Sequence, residues 1–239
     1  MDRQIVAELA PTGVLRAAIN MGNFLLVTGK TASGDPSGVA PDMAAEIAKR
    51  LGVPVHYVPY ERPSTLADAA GTNTWDIGLI GAEPQRAAKI AFSDAYCEIE
   101  ATYLAHPNSP LKSVADVDRA GVRISVRRGA AYCLWLERNI KHATVMSFEA
   151  ADAPLNQFIA EKLDALAALK PALLDDIKKV PGGTILPGHF MTVQQAIGTG
   201  KPNTAGAKFL QEFVTDAKKS GLVARLIEKY HVAGLSVAS

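Results

Sequence analysis

Short apolar runs of strand type recur along the chain, separated by stretches whose apolar residues fall at helical spacing. After a lead-in over Ala7 to Gly13, Val14-Leu15-Arg16-Ala17-Ala18-Ile19-Asn20 reads as a strand ending on a polar residue. Thr28 to Gly38 is crowded with Gly, Ser, Thr, Asp and Pro, which predicts a turn or hairpin loop. Met43, Ile47 and Leu51 recur at helical spacing, so a helix capped by Asp42 is expected through Arg50, with Gly52 as its stop. Val53 to Tyr60 reads as a second strand, Ser64 to Ala70 as a second helix, and Asp76 to Ile80 as a third strand. This βαβαβ rhythm implies parallel strands with helices on their faces.

After Tyr96 the pattern changes to an extended crossover through Glu98 to Ala105. A second βαβ-like unit follows. Gly121 to Val126 is a strand, and Arg127 to Tyr132 turns into a helix through Asn139. Leu155 to Glu161 is another helix, Leu163 to Leu169 a strand, and Met191 to Ile197 a returning strand. Two helices, about Asn203 to Ser220 and Leu222 to Tyr230, close the chain. No repeat of solenoid period and no low-complexity tract interrupts this order.

Composition narrows the function classes. The chain has 239 residues, enough for one large domain or two small ones, and 48% are apolar, as in a folded protein. A formal net charge of +1 makes no electrostatic case for nucleic acid or an acidic membrane surface. No apolar run is long enough to span a bilayer. Met1 to Glu8 lacks the charged-then-apolar pattern of a secretory signal, so either a leader has been replaced by Met1 or the protein is cytosolic. Two cysteines, Cys97 and Cys133, are too few for a disulfide scaffold and read as structural. The five histidines show no metal-ligand spacing, and neither a metal nor any other cofactor is expected.

Chemistry concentrates between Trp75 and Tyr96. The strand ends in Gly81, whose missing side chain permits close approach of a ligand or another backbone. Pro84 is suited to a first helical turn, which would set Arg86 beside free N–H groups. A strand end, exposed amides and a guanidinium fork together make a carboxylate receptor; the plain alternative is an arginine in a surface salt bridge.

The run Asp76-Ile77-Gly78-Leu79-Ile80-Gly81, then Ala82-Glu83-Pro84-Gln85-Arg86 and Ile90-Ala91-Phe92-Ser93-Asp94-Ala95-Tyr96, resembles the family-3 solute-binding proteins of bacterial ABC importers. Gly38 to Ala44, Gly121 to Ala131 and Phe209 to Leu222 are similar to further motifs of that family, in the same order and over essentially the whole chain. The resemblance implies an α/β fold, two-lobe periplasmic-binding-protein-like II (Venus flytrap), each lobe a mixed, mostly parallel sheet flanked by helices. It implies lobe 1 at residues 1–102 with 193–239 and lobe 2 at 103–192, with hinge crossovers near 98–105 and 189–195. In open α/β sheets ligands bind outside the carboxyl ends of the strands.

Carried over by resemblance, the lobe-1 wall comprises Asn20, Asn23, Phe24 and Tyr60, with Gly81, Ala82 and the carboxylate-gripping Arg86. Phe24 is either an aromatic that packs on the ligand or a core residue. Lobe 2 contributes Ala130 and Ala131 through backbone N–H groups, with Tyr132 beside them. Three departures matter. Asn20 stands where amino-acid binders commonly place Asp, and the two alanines stand where the family has threonines. The strand end Asp164-Ala165-Leu166-Ala167-Ala168-Leu169-Lys170-Pro171 carries Leu169 where the family's acid pairs with an α-ammonium. An unpaired ammonium in a desolvated cleft is costly. Leu169 with Lys170 therefore points to an anionic, carboxylate-bearing small molecule, simple, aromatic or dicarboxylic, unless Glu61 or Glu83 supplies the missing partner. Lys170 as a solvated rim lysine is the alternative.

The expected function is a non-enzymatic, monomeric, periplasmic binding protein that delivers this ligand to an ABC permease in the membrane by hinge closure. Two alternatives stay open: an enzyme on the same fold, resembling cyclohexadienyl dehydratases and using His189 or Glu61, and a cytosolic ligand sensor.

Overall fold

The computed structural model describes residues 2–239. The chain divides into two compact units, Met1–Glu98 with Gln194–Ser239, and Ile99–Val193.

The first unit opens with helix α1 (Arg3–Leu9), where the apolar pattern predicts only a lead-in. Asp2 caps it by accepting from the Gln4 N–H at 2.9 Å, and Leu9 is its one fully buried residue. With a single buried position there is no apolar stripe to read. Strand β1 (Leu15–Asn20) follows, then a hairpin of β2 (Gly29–Lys30) and β3 (Pro36–Ser37), then α2 (Val39–Leu51). The α2 helix starts before Asp42, at Gly38. There φ is 148°, and an added Cβ would collide with the Leu26 carbonyl, so only glycine fits. Asp42 lies in the first turn instead of capping it, and its carboxylate accepts from Lys229 Nζ at 2.7 Å and Tyr230 Oη at 2.9 Å. Gly52 ends the helix in the left-handed conformation, as its position predicts.

Strand β4 (Val55–Tyr60), helix α3 (Pro63–Asp68) and strand β5 (Ile77–Gly81) complete the βαβαβ order. Strand β6 (Ile90–Ala105) is 16 residues long and continues from the first unit into the second. The second unit holds β7 (Arg123–Arg127), α4 (Ala131–Asn139), β8 (Thr144–Phe148), α5 (Ala153–Ala160), β9 (Ala165–Leu169), α6 (Lys170–Asp176) and β10 (Thr184–Ile185). Strand β11 (Met191–Gly200) returns to the first unit, which ends with α7 (Thr204–Lys219), α8 (Leu222–Lys229) and β12 (Ser236–Val237).

Both units repeat one plan. In the first, β1 lies between β4 and β5, all parallel, and β11 adds antiparallel to β5 with Gln195 opposite Gly81. In the second, β7 lies between β8 and β9, all parallel, and β6 adds antiparallel to β9 with Ala101 opposite Leu169. Side-chain alternation explains the layers. Ala165 and Ala167 of β9 pack with Cys133 and Leu136 of α4, while Leu166 between them packs with Leu155 and Phe158 of α5.

The repeat extends to a clamp at the start of each central strand. Arg16 of β1 donates its backbone N–H (2.8 Å) and Nε (3.0 Å) to Asp76 Oδ2, while Nη1 donates to the Asn73 carbonyl. Arg123 of β7 donates its N–H (2.8 Å) and Nε (3.1 Å) to Asp164 Oδ2, while Nη2 donates to the Lys162 carbonyl at 2.6 Å. Asn73 and Lys162 both adopt positive φ, 60° and 48°. No helix among the described residues is long and apolar enough to cross a membrane.

Candidate functional site

In the first unit the predicted residues gather where β1, β4 and β5 end. Asn20 and Tyr60 are the last residues of β1 and β4 and lie side by side in the ladder. The two asparagines shape the turn that follows. Asn20 Oδ1 accepts from the Gly22 N–H at 3.2 Å, and Asn23 Oδ1 from the Leu25 N–H at 3.2 Å, with Asn23 buried. Phe24, next after Asn23, is 48% exposed, which rules out the core reading of this ring. Tyr60 Oη lies 3.3 Å from Thr74 Oγ1.

Gly81 ends β5, and its carbonyl accepts from Arg86 Nη1 at 2.7 Å. Arg86 is only 6% exposed, and Glu83 beside it only 4%. Desolvation lowers the Arg86 pKa to about 10, opposed by the negative charges of Glu83 and Asp68. At neutral pH the guanidinium therefore keeps its full charge in a nearly dry setting, where a carboxylate contact is strong.

The backbone around Arg86 differs from the sequence expectation. Instead of a helix opened by Pro84 there is one 3-10 turn, Arg86–Ala88. Its amides are already engaged, since the Arg86 and Ala87 N–H groups both donate to the Glu83 carbonyl at 2.9 Å. The Ala82 N–H donates to the Gln194 carbonyl at 2.8 Å. The expected free amides of a helix start are therefore not found beside this guanidinium.

In the second unit Ala131, Tyr132 and Leu169 meet in one apolar group with Ala101, Val193, Phe190 and Met191. Ala130 is the N-cap of α4, and its carbonyl accepts from the Leu134 N–H at 3.0 Å. Burial pushes the Tyr132 hydroxyl up to about 12, so it stays a neutral phenol, with the charge of Arg127 opposing the shift. Lys170, first residue of α6, does not stand alone. Its Nζ lies 2.6 Å from Glu100 Oε2, and His189 Nδ1 lies 3.3 Å from Glu100 Oε1. Lys170, followed by His189, holds the Glu100 carboxyl below the usual glutamate range.

Sequence reading missed Glu100. Its only trace is register, because Ala101 opposite Leu169 sets Glu100 beside Lys170, and that pairing is invisible until the sheet is known. Both cysteines are buried. Burial raises the Cys97 thiol well above its ordinary value and the Cys133 thiol to about 12, which keeps both as thiols rather than nucleophilic thiolates. Among the described residues, no group of three or more His, Cys, Asp or Glu side chains is arranged to hold a metal ion.

Known proteins share this fold. The L-cystine-binding protein TcyJ of Escherichia coli K12 is 23% identical over 208 residues, 85% of this chain and 77% of that protein. Among solved structures, a mutant of ArgBP from T. maritima superposes with a TM-score of 0.74 at 22% identity, covering 95% of this chain and 99% of that one. A cysteine-binding protein from Campylobacter jejuni gives 0.74 at 16% identity, covering 96% and 93%. An ancestral amino-acid-binding protein described as a precursor of cyclohexadienyl dehydratase gives 0.73 at 22% identity, covering 94% and 98%. These likenesses fix the two-lobe fold. Residues 22–233 match a defined family as a whole, and the chain belongs to the bacterial extracellular solute-binding proteins, family 3.

Proposed function

We propose that this protein captures a small carboxylate-bearing solute for an ABC importer and that Arg86 grips the carboxylate. The observation that carries the reading is a guanidinium only 6% exposed at the end of a central strand, still charged at neutral pH. Burial of an arginine is costly and needs compensation, which Glu83 and Gly81 O begin and a solute carboxylate would extend. On this reading Phe24 and Tyr60 flank the solute on the first unit, and Leu169 and Tyr132 on the second. The units close by movement in β6 and β11, the strands that continue from one unit into the other. Small-angle scattering should then give a smaller radius of gyration with bound solute, and an identical profile at saturation would refute closure.

The apolar group around Leu169 favours a solute whose remaining part is uncharged. The names of the relatives favour an α-amino acid as the second reading. Mass spectrometry of small molecules released from the denatured, freshly purified protein separates the two, and a free amino acid as the main species would overturn the first. Binding rather than turnover is part of the proposal. Product formation from prephenate or arogenate by the purified chain would replace it with an enzymatic role.

A further inference from the structure

We infer that β12 is a releasable strap that stiffens β6 where the chain passes from the first unit to the second, so that bending there requires β12 to let go. The inference goes beyond solute capture and does not depend on which solute is bound.

Strand β6 crosses the boundary between Glu98 and Ile99. One of its edges is taken by β11, the other crossing strand. Bonds from the Lys201 N–H to the Lys89 carbonyl (3.2 Å) and from the Phe190 N–H to the Ala101 carbonyl (3.0 Å) bracket the crossing. The opposite edge is left for β12, with Ser236 facing Glu98 and Val237 facing Cys97. There the Ala238 N–H donates to the Tyr96 carbonyl at 3.2 Å, and Ser236 Oγ donates to the Glu98 carbonyl at 3.3 Å. Support from β9 begins only at Ala101, so β12 covers the stretch just before the boundary. A strand bonded along both edges must break a ladder before it can bend out of its sheet, whereas an edge strand need not.

The hold is light enough to release. β12 is two exposed residues, anchored by Leu235 and Ala238 at 7% and 5% exposure and by Lys218 Nζ on the Ser239 carbonyl at 2.8 Å. Short, solvent-facing pairing of this kind belongs to the part of a fold that opens first. The segment it holds also has something to gain by moving. The Tyr96 hydroxyl and Gln195 Oε1, on β6 and β11 at the first-unit side of the boundary, are buried without a hydrogen-bond partner among the described residues. Leaving such groups unpaired is costly, which favours a rearrangement that pairs them.

The test is hydrogen exchange of the full chain without solute, comparing one variant that loosens the strap with one that locks it. Ala238→Pro removes the N–H bonded to the Tyr96 carbonyl. It should speed exchange of the β11 amides from Gln194 to Ile197, with which β12 does not pair, by about threefold or more, and leave β1 and β4 unchanged. The Ala238–Tyr96 bond makes Val237 and Cys97 a close, non-hydrogen-bonded pair, whose spacing suits a disulfide. Val237→Cys, refolded in a glutathione redox buffer, should therefore bridge to Cys97 and slow the same β11 amides by about threefold, and reduction should return them to the wild-type rate. Faster exchange confined to Tyr96–Glu98 overturns the inference, because β12 would then be only a local cover. An equal rise in β1 and β4 overturns it too, as general loosening of the unit. So does failure of the bridge to form, since β12 would not lie on Cys97 in solution. If Ala238→Pro does not fold, the bridged variant decides alone. Scattering at solute saturation reports on closure and exchange without solute reports on the strap, so the two readings fail separately.

Discussion

The two units build the same clamp from different burial. Arg16–Asp76 and Arg123–Asp164 share a backbone N–H and an Nε donated to one Oδ2 and a carbonyl on a left-handed residue, while Arg16 alone is seen to add Nη2 to Asp76 Oδ1 at 2.6 Å. Yet the Asp76 side chain is 4% exposed and the Asp164 side chain 38%. The strand ends differ in the same sense. Arg86 is buried with its charge directed by the fold, whereas Lys170 is 43% exposed and already matched by Glu100. Charge near water is cheap to hold and weak in effect, while charge away from water is costly and strong. The first unit therefore carries the electrostatic commitments of this protein, and the second carries shape and apolar surface.

The sharpest way to break that contrast is to neutralise each clamp. Asp76→Asn should leave Arg16 without its buried partner and cost about 3 kcal/mol in urea unfolding. Asp164→Asn should cost at most about 1 kcal/mol, and equal losses would mean that burial does not separate the two. Next in size is Arg86→Lys, which keeps the charge and loses the fork. Affinity for the natural solute should fall by about 1.5–3 kcal/mol, roughly ten- to a hundredfold in Kd, and unchanged affinity in calorimetry would remove Arg86 from the site. Leu169→Asp tests the other strand end. It should shift a thermal-shift panel from amine-free carboxylates toward α-amino acids, and a wild type that answers most strongly to a free amino acid would sink this idea at once. The smallest effect is a pH dependence. Glu100 titrates below its ordinary value, so its share of stability is present above about pH 4.5 and is lost as pH falls through the folded-state value. Glu100→Gln should slightly flatten the acid limb of the stability curve, and the half-exposed position keeps this modest.

Much of the fold is legible from periodicity because its central strands are apolar and its helices end in clear stops, as Gly52 does for α2. What escaped has a common cause. The β8 strand is nowhere fully buried, so its alternation is too weak to stand out. The α6 helix opens at Lys170-Pro171, which reads as the end of a strand rather than the N-terminus of a helix, although proline is at home there. Of the candidate site, Arg86 is readable because Gly81, whose carbonyl it bonds, and Glu83 lie within a few positions of it. The Lys170–Glu100–His189 group draws on residues 70 and 19 positions from Lys170, and only the sheet joins them. Local chemistry is written locally; long-range pairing is not.

The long strand β6 and the return of β11 also dictate an order of assembly. Synthesis runs from the N-terminus, so β5 is made well before β11, yet Gly81 finds its ladder partner Gln195 only after the whole second unit has emerged. Until then β5 has an open edge, and apolar strand edges invite pairing with the wrong chain. The second unit is continuous from Ile99 to Val193 and can complete its sheet first. The nascent first unit has to wait as an unfinished sheet, which Gln194–Ser239 closes. A released chain truncated just before Gln194 should accordingly protect the second unit from protease while leaving the first open.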